Sequence, residues 1–286
     1  MPRTHVVSYS ELSTFRQCPL KHELSYKERW SRPPKEGSAL ARGSLFHSVL
    51  EAHYLAVQDP TRSAEQRDAI IEMLSIGDPD QTETQELVEW IWRGYIDTFG
   101  TDPAWEILAV EYANEFWLPT PNGGRSPYKL KLKIDLIVKE RATGHIWIVD
   151  HKTCKNLPDR KMLEFDDQFG LYTWGLRQLG KTVFGSIHNA CRTQRLKTRE
   201  MTADDRFRRT LLYRTDAELD TIAIEAYKTA RRAYAQTAVG TAERCTDTDM
   251  CSWKCDFTEP CLGARKGGDL VHMLTMGGYE VQKERH

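Results

Sequence analysis

The sequence predicts an α/β domain built on a central mixed β-sheet flanked by helices, and three observations carry that reading. Helical periodicity dominates the chain as far as residue 98. From residue 105 the period changes to that of strands, in EILAVEYANEFWL, KLKLKIDLIVKE and HIWIVDHKT, separated by the turn-like PTPNGG and RATG. A helical stretch, a further strand and a long helical stretch then follow, which is the order of a mixed sheet covered by helices.

Each element has its own signal. Ser8 followed by Glu11 is a capping-box pattern, so a short helix runs through Phe15 and Gln17. It stops at Cys18, because Pro19 disfavours helix in the residue before it. Residues 31–39 read as a loop. A helix over 42–57 has Leu45, Val49 and Ala52 at helical spacing. Helices near 63–75 and 83–98 are joined by a GDPD turn, and the three strands that follow form an antiparallel meander. A helix over 160–179 ends at Gly180, a fourth strand is TVFGSIHNA, and a fifth lies near 195–201. Residues 204–238 read as one long helix, ahead of a cysteine-rich segment and a polar tail.

The composition sets bounds on function. With 286 residues, 40% hydrophobic and 28% charged, the chain can bury a core and is not of the disordered class. The longest apolar run is four residues, as in Ile146 to Val149, far short of the roughly 20 that cross a bilayer, so no membrane partner is expected. The start, MPRTHVVSYSELS, lacks the apolar core of an export signal. Seven cysteines, an odd number, then point to a reducing, cytoplasmic setting with ligated or free thiols rather than a disulfide framework. The net charge of −1 excludes a globally basic coat. It does not exclude a local one: residues 191–214 carry eight Lys/Arg against three Asp/Glu, while residues 75–115 carry ten Asp/Glu against one Arg. That polarity suits a nucleic-acid groove.

The chemistry is concentrated in the second and third strands. Alternation puts Asp150 and Lys152 on one face and His151 on the other, and an antiparallel neighbour can bring Asp135 beside Asp150. Two carboxylates that close repel each other, and a divalent cation relieves the repulsion. A lysine beside them can hold a water or a phosphate oxygen. Together they suit metal-assisted phosphodiester hydrolysis. His47 and Glu51, four apart, share a helical face. Glu111 is a further candidate carboxylate. Cys251, Cys255 and Cys261 supply three thiols within eleven residues. A tetrahedral zinc or a four-iron cluster needs a fourth, and spacing alone leaves Cys245 and Cys18 both open.

Several motifs together resemble one family. Ile148-Val149-Asp150-His151-Lys152-Thr153 resembles the core of the PD-(D/E)XK nucleases, and Ile134-Asp135-Leu136-Ile137 matches their upstream metal-binding aspartate. Gln168-Phe169-Gly170-Leu171-Tyr172 is similar to the Q-x-x-x-Y motif of the RecB-like branch. Gly43 to His47 resembles that branch's G-x-x-x-H motif, and Ser8 to Pro19 its N-terminal S-x-S…F-x-x-C-P signature. The resemblance extends to the iron–sulfur members of the branch, including CRISPR-associated RecB-like exonucleases and their phage relatives. Leu132 stands where the family usually has glycine, and Asp150 where it often has glutamate.

The resemblance implies a restriction-endonuclease-like core and a Mg²⁺- or Mn²⁺-dependent deoxyribonuclease, an exonuclease acting on DNA with a free, single-stranded end. The implied metal ligands are His47, Asp135 and Asp150, with the His151 carbonyl as a further donor. Lys152, Gln168 and Tyr172 complete the catalytic set. It further implies that Cys18, Cys251, Cys255 and Cys261 hold a 4Fe-4S cluster, with Cys154 and Cys191 free. Such a staple closes a loop of over 200 residues, worth ~4–5 kcal/mol by analogy with a disulfide. The expected organisation is a nuclease domain over 1–244, a cysteine clasp over 245–265 packed on it, and a polar tail over 266–286. Arg192, Arg195, Arg206 and Arg209 are the expected phosphate-tracking residues, and Tyr26, Trp30 and Trp253 the candidate stacking platforms. The rival expectation is a non-catalytic DNA-binding iron–sulfur subunit of a repair or recombination complex. It has no use for a repelling carboxylate pair.

Overall fold

Ser8 caps the first helix as its sequence predicts, accepting a hydrogen bond from the Glu11 amide at 3.1 Å. The Glu11 side chain does not return the bond; its carboxylate turns inward to His22 and Tyr234. In the computed structural model the described residues are 4–196, 198–235, 242–253 and 255–283, with Trp253 described by its backbone alone. In chain order the elements are β1 (His5–Ser8), α1 (Tyr9–Gln17), α2 (Pro19–His22), a π-helical turn (Glu23–Lys27), β2 (Trp30–Ser31), α3 (Ala39–Gln58), a 3-10 turn (Pro60–Arg62), α4 (Ser63–Leu74) and α5 (Glu83–Phe99). Then come β3 (Trp105–Trp117), β4 (Tyr128–Glu140), β5 (Ile146–Cys154), α6 (Arg160–Leu163), α7 (Asp167–Arg177), β6 (Val183–Arg192), α8 (Ala203–Arg206) and β7 (Phe207–Leu212). The last are α9 (Asp216–Ala235), α10 (Thr248–Trp253), α11 (Thr258–Arg265), α12 (Leu270–Met276) and β8 (Glu280–Val281).

The chain divides into two compact units: one of Met1–Pro33, Trp117–Lys131 and Ala223–His286, the other of Pro34–Phe116 and Leu132–Ile222. The second unit holds the larger core. β3 pairs with β4. β4 and β5 are antiparallel, with Leu136 opposite Val149. β5 and β6 are parallel, with Asp150 beside His188, and β6 and β7 are antiparallel. A parallel neighbour requires a crossover, and α6 and α7 supply it. α5 begins at a complete capping box between Thr82 and Gln85. It buries Val88, Ile91 and Tyr95 with Phe46, Val49 and Leu50 of α3 against Leu136, Trp147, Val149 and Ile187 of the sheet. Leu132 is fully buried and faces Gly175 of α7, where a β-carbon would lie 2.3 Å from it. The residue that replaces the family's glycine is therefore a core residue, on the strand face opposite Asp135.

The sequence reading needs four corrections. The helix expected over 160–179 is two, α6 and α7, because Asp166 caps a new helix by accepting from the Gln168 amide at 2.9 Å. None of the described residues of 195–201 lies in a strand; the strand after β6 is β7, in what was read as the start of one long helix. Phe207, Thr210 and Leu212 are buried there while Arg208 and Leu211 are exposed, and β6 supplies the backbone partners. Tertiary pairing overrides the local helical composition. The long helix is α9, entered through a reciprocal cap between Thr215 and Glu218; the last residues of the expected helix, 236–238, lie outside the described residues. Residues 266–286 are not simply a polar tail. α12 buries Leu274, and Tyr279 follows it into a core with Leu20, Leu24 and Phe257, while β8 pairs antiparallel with β2.

In the first unit, β1 runs parallel to the first residues of β4, from His5 opposite Tyr128 to Ser8 opposite Lys131. Among the described residues, no helix is long and apolar enough to cross a membrane.

Candidate active site

The end of β5 and the middle of β4 lie side by side. Extending the β4–β5 register one step beyond Leu136–Val149 sets Asp135 opposite Asp150, on a shared face. The His151 amide donates to Oδ2 of Asp135 at 2.8 Å. His47 of α3 brings Nδ1 to 3.4 Å from the same oxygen. Asp150 is 1% exposed. Its Oδ2 is 2.7 Å from Nζ of Lys152, and its Oδ1 accepts from the Gln168 amide at 3.1 Å. The same Gln168 nitrogen reaches the Tyr172 hydroxyl at 2.8 Å, one turn further along α7. The i, i+4 spacing of glutamine and tyrosine thus positions one carboxylate.

The two aspartates are electrostatically unlike. Asp135 is driven down to about 2: burial opposes its charge, but His47 and the His151 amide outweigh it. Asp150 is pushed up to about 6 by burial, with Lys152 opposing and Asp135 adding to the rise. Burial disfavours charge on His47, yet Asp135 moves its pKa upward on balance. Lys152 is also raised, since the carboxylates of Asp150 and Asp135 outweigh its desolvation.

Glu111 of β3 joins this group. It sits at φ 51°, a left-handed conformation rare for a residue with a side chain. One donor atom each from His47, Glu111 and Asp135 lie within 4.8 Å of one another. Lys133 places Nζ 2.6 Å from Oε2 of Glu111. These residues open into a cleft of about 500 Å³, lined also by Leu40, Gly43, Glu51, Lys152 and Thr153. The donor set suits a hard divalent cation: one imidazole, carboxylates, and buried oxygens of Asp150 and Glu111 that accept no well-aligned hydrogen bond. The sequence paired His47 with Asp135 and Asp150. The tightest grouping substitutes Glu111 for Asp150, which is bound to Lys152 and Gln168.

Residues 6–261 match the PD-(D/E)XK nuclease superfamily. The chain belongs to that superfamily. PD-(D/E)XK nucleases use divalent metals on DNA, which agrees with the donor set above. No curated protein matches the chain. Among solved structures it is similar to a Eubacterium rectale protein provisionally titled an exonuclease, at 14% identity, a TM-score of 0.49, and 89% and 87% coverage of the two chains. It is also similar to the protein designated SSO0001, at 12% identity, a TM-score of 0.43, and 91% and 86% coverage.

The basic residues divide. Arg192 donates to the Lys155 carbonyl and to Asn156. Arg195 and Arg206 lie over the Trp90 ring, at 4.8 and 4.2 Å. Arg209 corrects the sequence reading. Its guanidinium makes a bidentate pair with Asp102 at 2.5 and 2.8 Å and donates to the Tyr95 hydroxyl, inside the nuclease core, so it is committed to the fold. From Tyr95 the chain of contacts runs through Asn189 to Nδ1 of His151, whose ring stacks on Tyr54. Burial drives His151 down to about 3, so the ring is neutral. The sequence hinted at this network only through Asn189, which with Ser186 and His188 makes β6 unusually polar for a buried strand.

Cys18, Cys245, Cys251, Cys255 and Cys261 all line one cavity of about 700 Å³ in the first unit. Among the described residues, no three of their sulfurs lie within 4.8 Å of one another. The Cys245 amide donates to Sγ of Cys18 at 3.3 Å. Burial and the neighbouring thiols of Cys245, Cys255 and Cys18 push the Cys251 thiol up. Tyr26 stacks on His22, and Trp30 packs beside Leu20 and Leu24, which accounts for both rings without a ligand. The Trp253 side chain lies outside the described residues.

Proposed function

We propose that this chain is a metal-dependent DNA exonuclease of the RecB-like kind, hydrolysing phosphodiester bonds from single-stranded ends. One observation carries the reading: an ionised Asp135 and a buried Asp150 side by side, with the Lys152 ammonium 2.7 Å from Asp150. His47, Asp135, Glu111 and Asp150 hold Mg²⁺ or Mn²⁺. When bound, the cation acidifies the attacking water and neutralises charge that builds on the phosphoryl oxygens. Lys152 keeps its proton beside two carboxylates, so it binds a phosphate oxygen or orients the water rather than acting as a base. Gln168, steadied by Tyr172, fixes the Asp150 rotamer. The His151 amide fixes Asp135. Water oxygen would bond to phosphorus as the P–O bond to the leaving nucleotide breaks, with the water's proton passing to solvent and the departing oxygen taking one from it, and the gain lies in charge stabilised only in the transition state.

The thiols of Cys18, Cys251, Cys255 and Cys261 hold a 4Fe-4S cluster in this reading. Four thiols on one cavity are the right donors. A tetrahedral zinc needs its sulfurs about 3.8 Å apart, closer than these stand, whereas a cluster keeps its thiolates further apart because the iron–sulfide cube lies between them. The basic residues assigned to track phosphates are Arg192, Arg195 and Arg206, of which Arg195 is the exposed one.

Digestion of end-labelled single- and double-stranded DNA with Mg²⁺ or Mn²⁺ tests the reading. The expected result is metal-dependent release of short products from the single strand. Binding without cleavage under any divalent metal would leave a DNA-binding subunit instead.

A further inference from the structure

The connector that leaves the catalytic strand is held in an unusual way. Residues 155–166 run from the end of β5 to the cap of α7, and three arginines of the β6–β7 region grip their backbone. Arg192 donates to the Lys155 carbonyl, Arg208 to the Pro158 carbonyl, and Arg214 to the Leu163 and Glu164 carbonyls. The segment itself carries Lys155, Arg160 and Lys161 against Asp159, Glu164 and Asp166. The three gripping arginines therefore leave this rim net positive.

Two large apolar side chains project from the rim into solvent. Phe165 is 80% exposed and Met162 is 71% exposed. They are three residues apart on one turn, joined by the bond from the Phe165 amide to the Met162 carbonyl. Neighbouring Leu163 and Phe169 are buried, so the segment had apolar residues for its core and still presents two more outward. The place is not neutral. Asp166, next in the chain, caps α7 on the Gln168 amide, and the Gln168 side chain holds Asp150. The rim thus adjoins the candidate active site through a single capped turn.

An exposed aromatic ring on a cationic rim, one capped turn from a phosphodiester site, matches an unpaired nucleotide: the base stacks while its phosphates meet lysine and arginine. A paired base has its faces covered within the duplex and cannot stack there unless it is extruded. We propose that Phe165, flanked by Met162, is a stacking subsite for an unpaired nucleobase of the strand held in the cleft that Asp135 and Lys152 line. This rests on the nuclease reading and gives that site its selectivity for single strands.

The test uses the full chain in EDTA, where no cleavage occurs, and fluorescence anisotropy of labelled oligothymidylate. Base stacking is worth ~1–3 kcal/mol, so Phe165→Ala should weaken binding roughly 5- to 150-fold, and Phe165→Trp should restore it. A set of strands with one abasic residue at successive positions should contain one register at which wild type binds as weakly as Phe165→Ala. Quenching of 2-aminopurine at that register should vanish in the alanine variant. Equal affinity of wild type and Phe165→Ala overturns the proposal, as does failure of the wild type to bind the strand. Phe165-dependent self-association in sedimentation, without an effect on DNA, overturns it in favour of a contact between copies. The nuclease reading fails differently, through absence of cleavage by the wild type in Mn²⁺, so the two failures are distinguishable.

Discussion

Gln168 donates one amide hydrogen bond to Oδ1 of Asp150 at 3.1 Å, while Lys152 sits 2.7 Å from the other oxygen of the same carboxylate. A helix and a strand thus hold one buried acid from both sides, in the rotamer that places it beside Asp135. The Asp150→Ala variant should lose metal-dependent cleavage by at least ~10³-fold, and Lys152→Ala by a similar factor, with DNA affinity changed little. Gln168→Ala should fall between, since it removes only a positioning bond. Single-turnover rates with end-labelled strands measure all three. Near-full activity in either of the first two would remove these residues from catalysis.

The buried state of Asp150 also sets a pH dependence. Its pKa is raised to about 6, mainly by burial. Below pH ~4 the carboxyl is protonated in folded and unfolded chains alike and contributes nothing. Between pH ~4 and ~6 the unfolded chain ionises first, so stability falls as pH rises. Above pH ~6 both states are ionised and the deficit is constant, at up to ~3 kcal/mol. In EDTA, Asp150→Asn should therefore melt above wild type at pH 7.5, with the advantage gone by pH 4. Mn²⁺ should raise the wild-type Tm more than that of the variant. A lower-melting variant at pH 7.5 would show that the carboxylate carries no such burden.

Arg209 offers a contrast between a structural and a phosphate-facing arginine. Arg209→Ala leaves Asp102 charged and buried, which costs about 3–5 kcal/mol. Arg195→Ala, at an exposed position over Trp90, should leave urea stability within about 1 kcal/mol. It should lower DNA affinity and reduce the salt slope by about one. Equal stability of the two variants would contradict the commitment of Arg209 to the core.

The sequence revealed what depends on short-range pattern. Asp135, Asp150 and Lys152 were legible because strand alternation and one antiparallel register suffice to align them. Asp102 and Arg209 were not, because the pair joins residues 107 apart and both look like ordinary surface charges. Glu111 was half legible: its residue type invited a metal, but its aim depends on a left-handed φ that breaks strand alternation. β7 was hidden because its helical composition yields to the open edge of β6. The cap at Thr215 and Glu218, by contrast, is a local signal that marks where α9 begins.

The cysteine cavity gives a clean chemical test. Anaerobically purified protein should be brown, with broad absorption near ~400 nm and about four irons per chain. Cys18→Ser should lose the iron and destabilise the fold, while Cys245→Ser should retain both. The Cys245 amide, not its thiol, faces Cys18 at 3.3 Å, and the serine variant keeps that amide. A colourless protein with one zinc per chain, or iron lost on Cys245→Ser alone, would replace the cluster or its ligand set.

The mode of attack follows from how deep the chemistry lies. Asp150 is 1% exposed, beneath Lys152, which with Asp135 lines a cleft of about 500 Å³. A scissile phosphate must come down to it, and a flexible strand can enter where a stiff duplex must first open. The chain should therefore degrade linear single strands from an end and spare covalently closed single-stranded circles of the same sequence. The circle is decisive because it offers the same flexibility, charge and bases and lacks only the terminus. If depth alone governed access, circle and linear strand would be cut equally fast, and the activity would be endonucleolytic. If a terminus is needed, circles survive until a nick supplies one, after which they disappear at the linear rate. Electrophoresis of intact and pre-nicked circles under one Mn²⁺ condition separates the two cases.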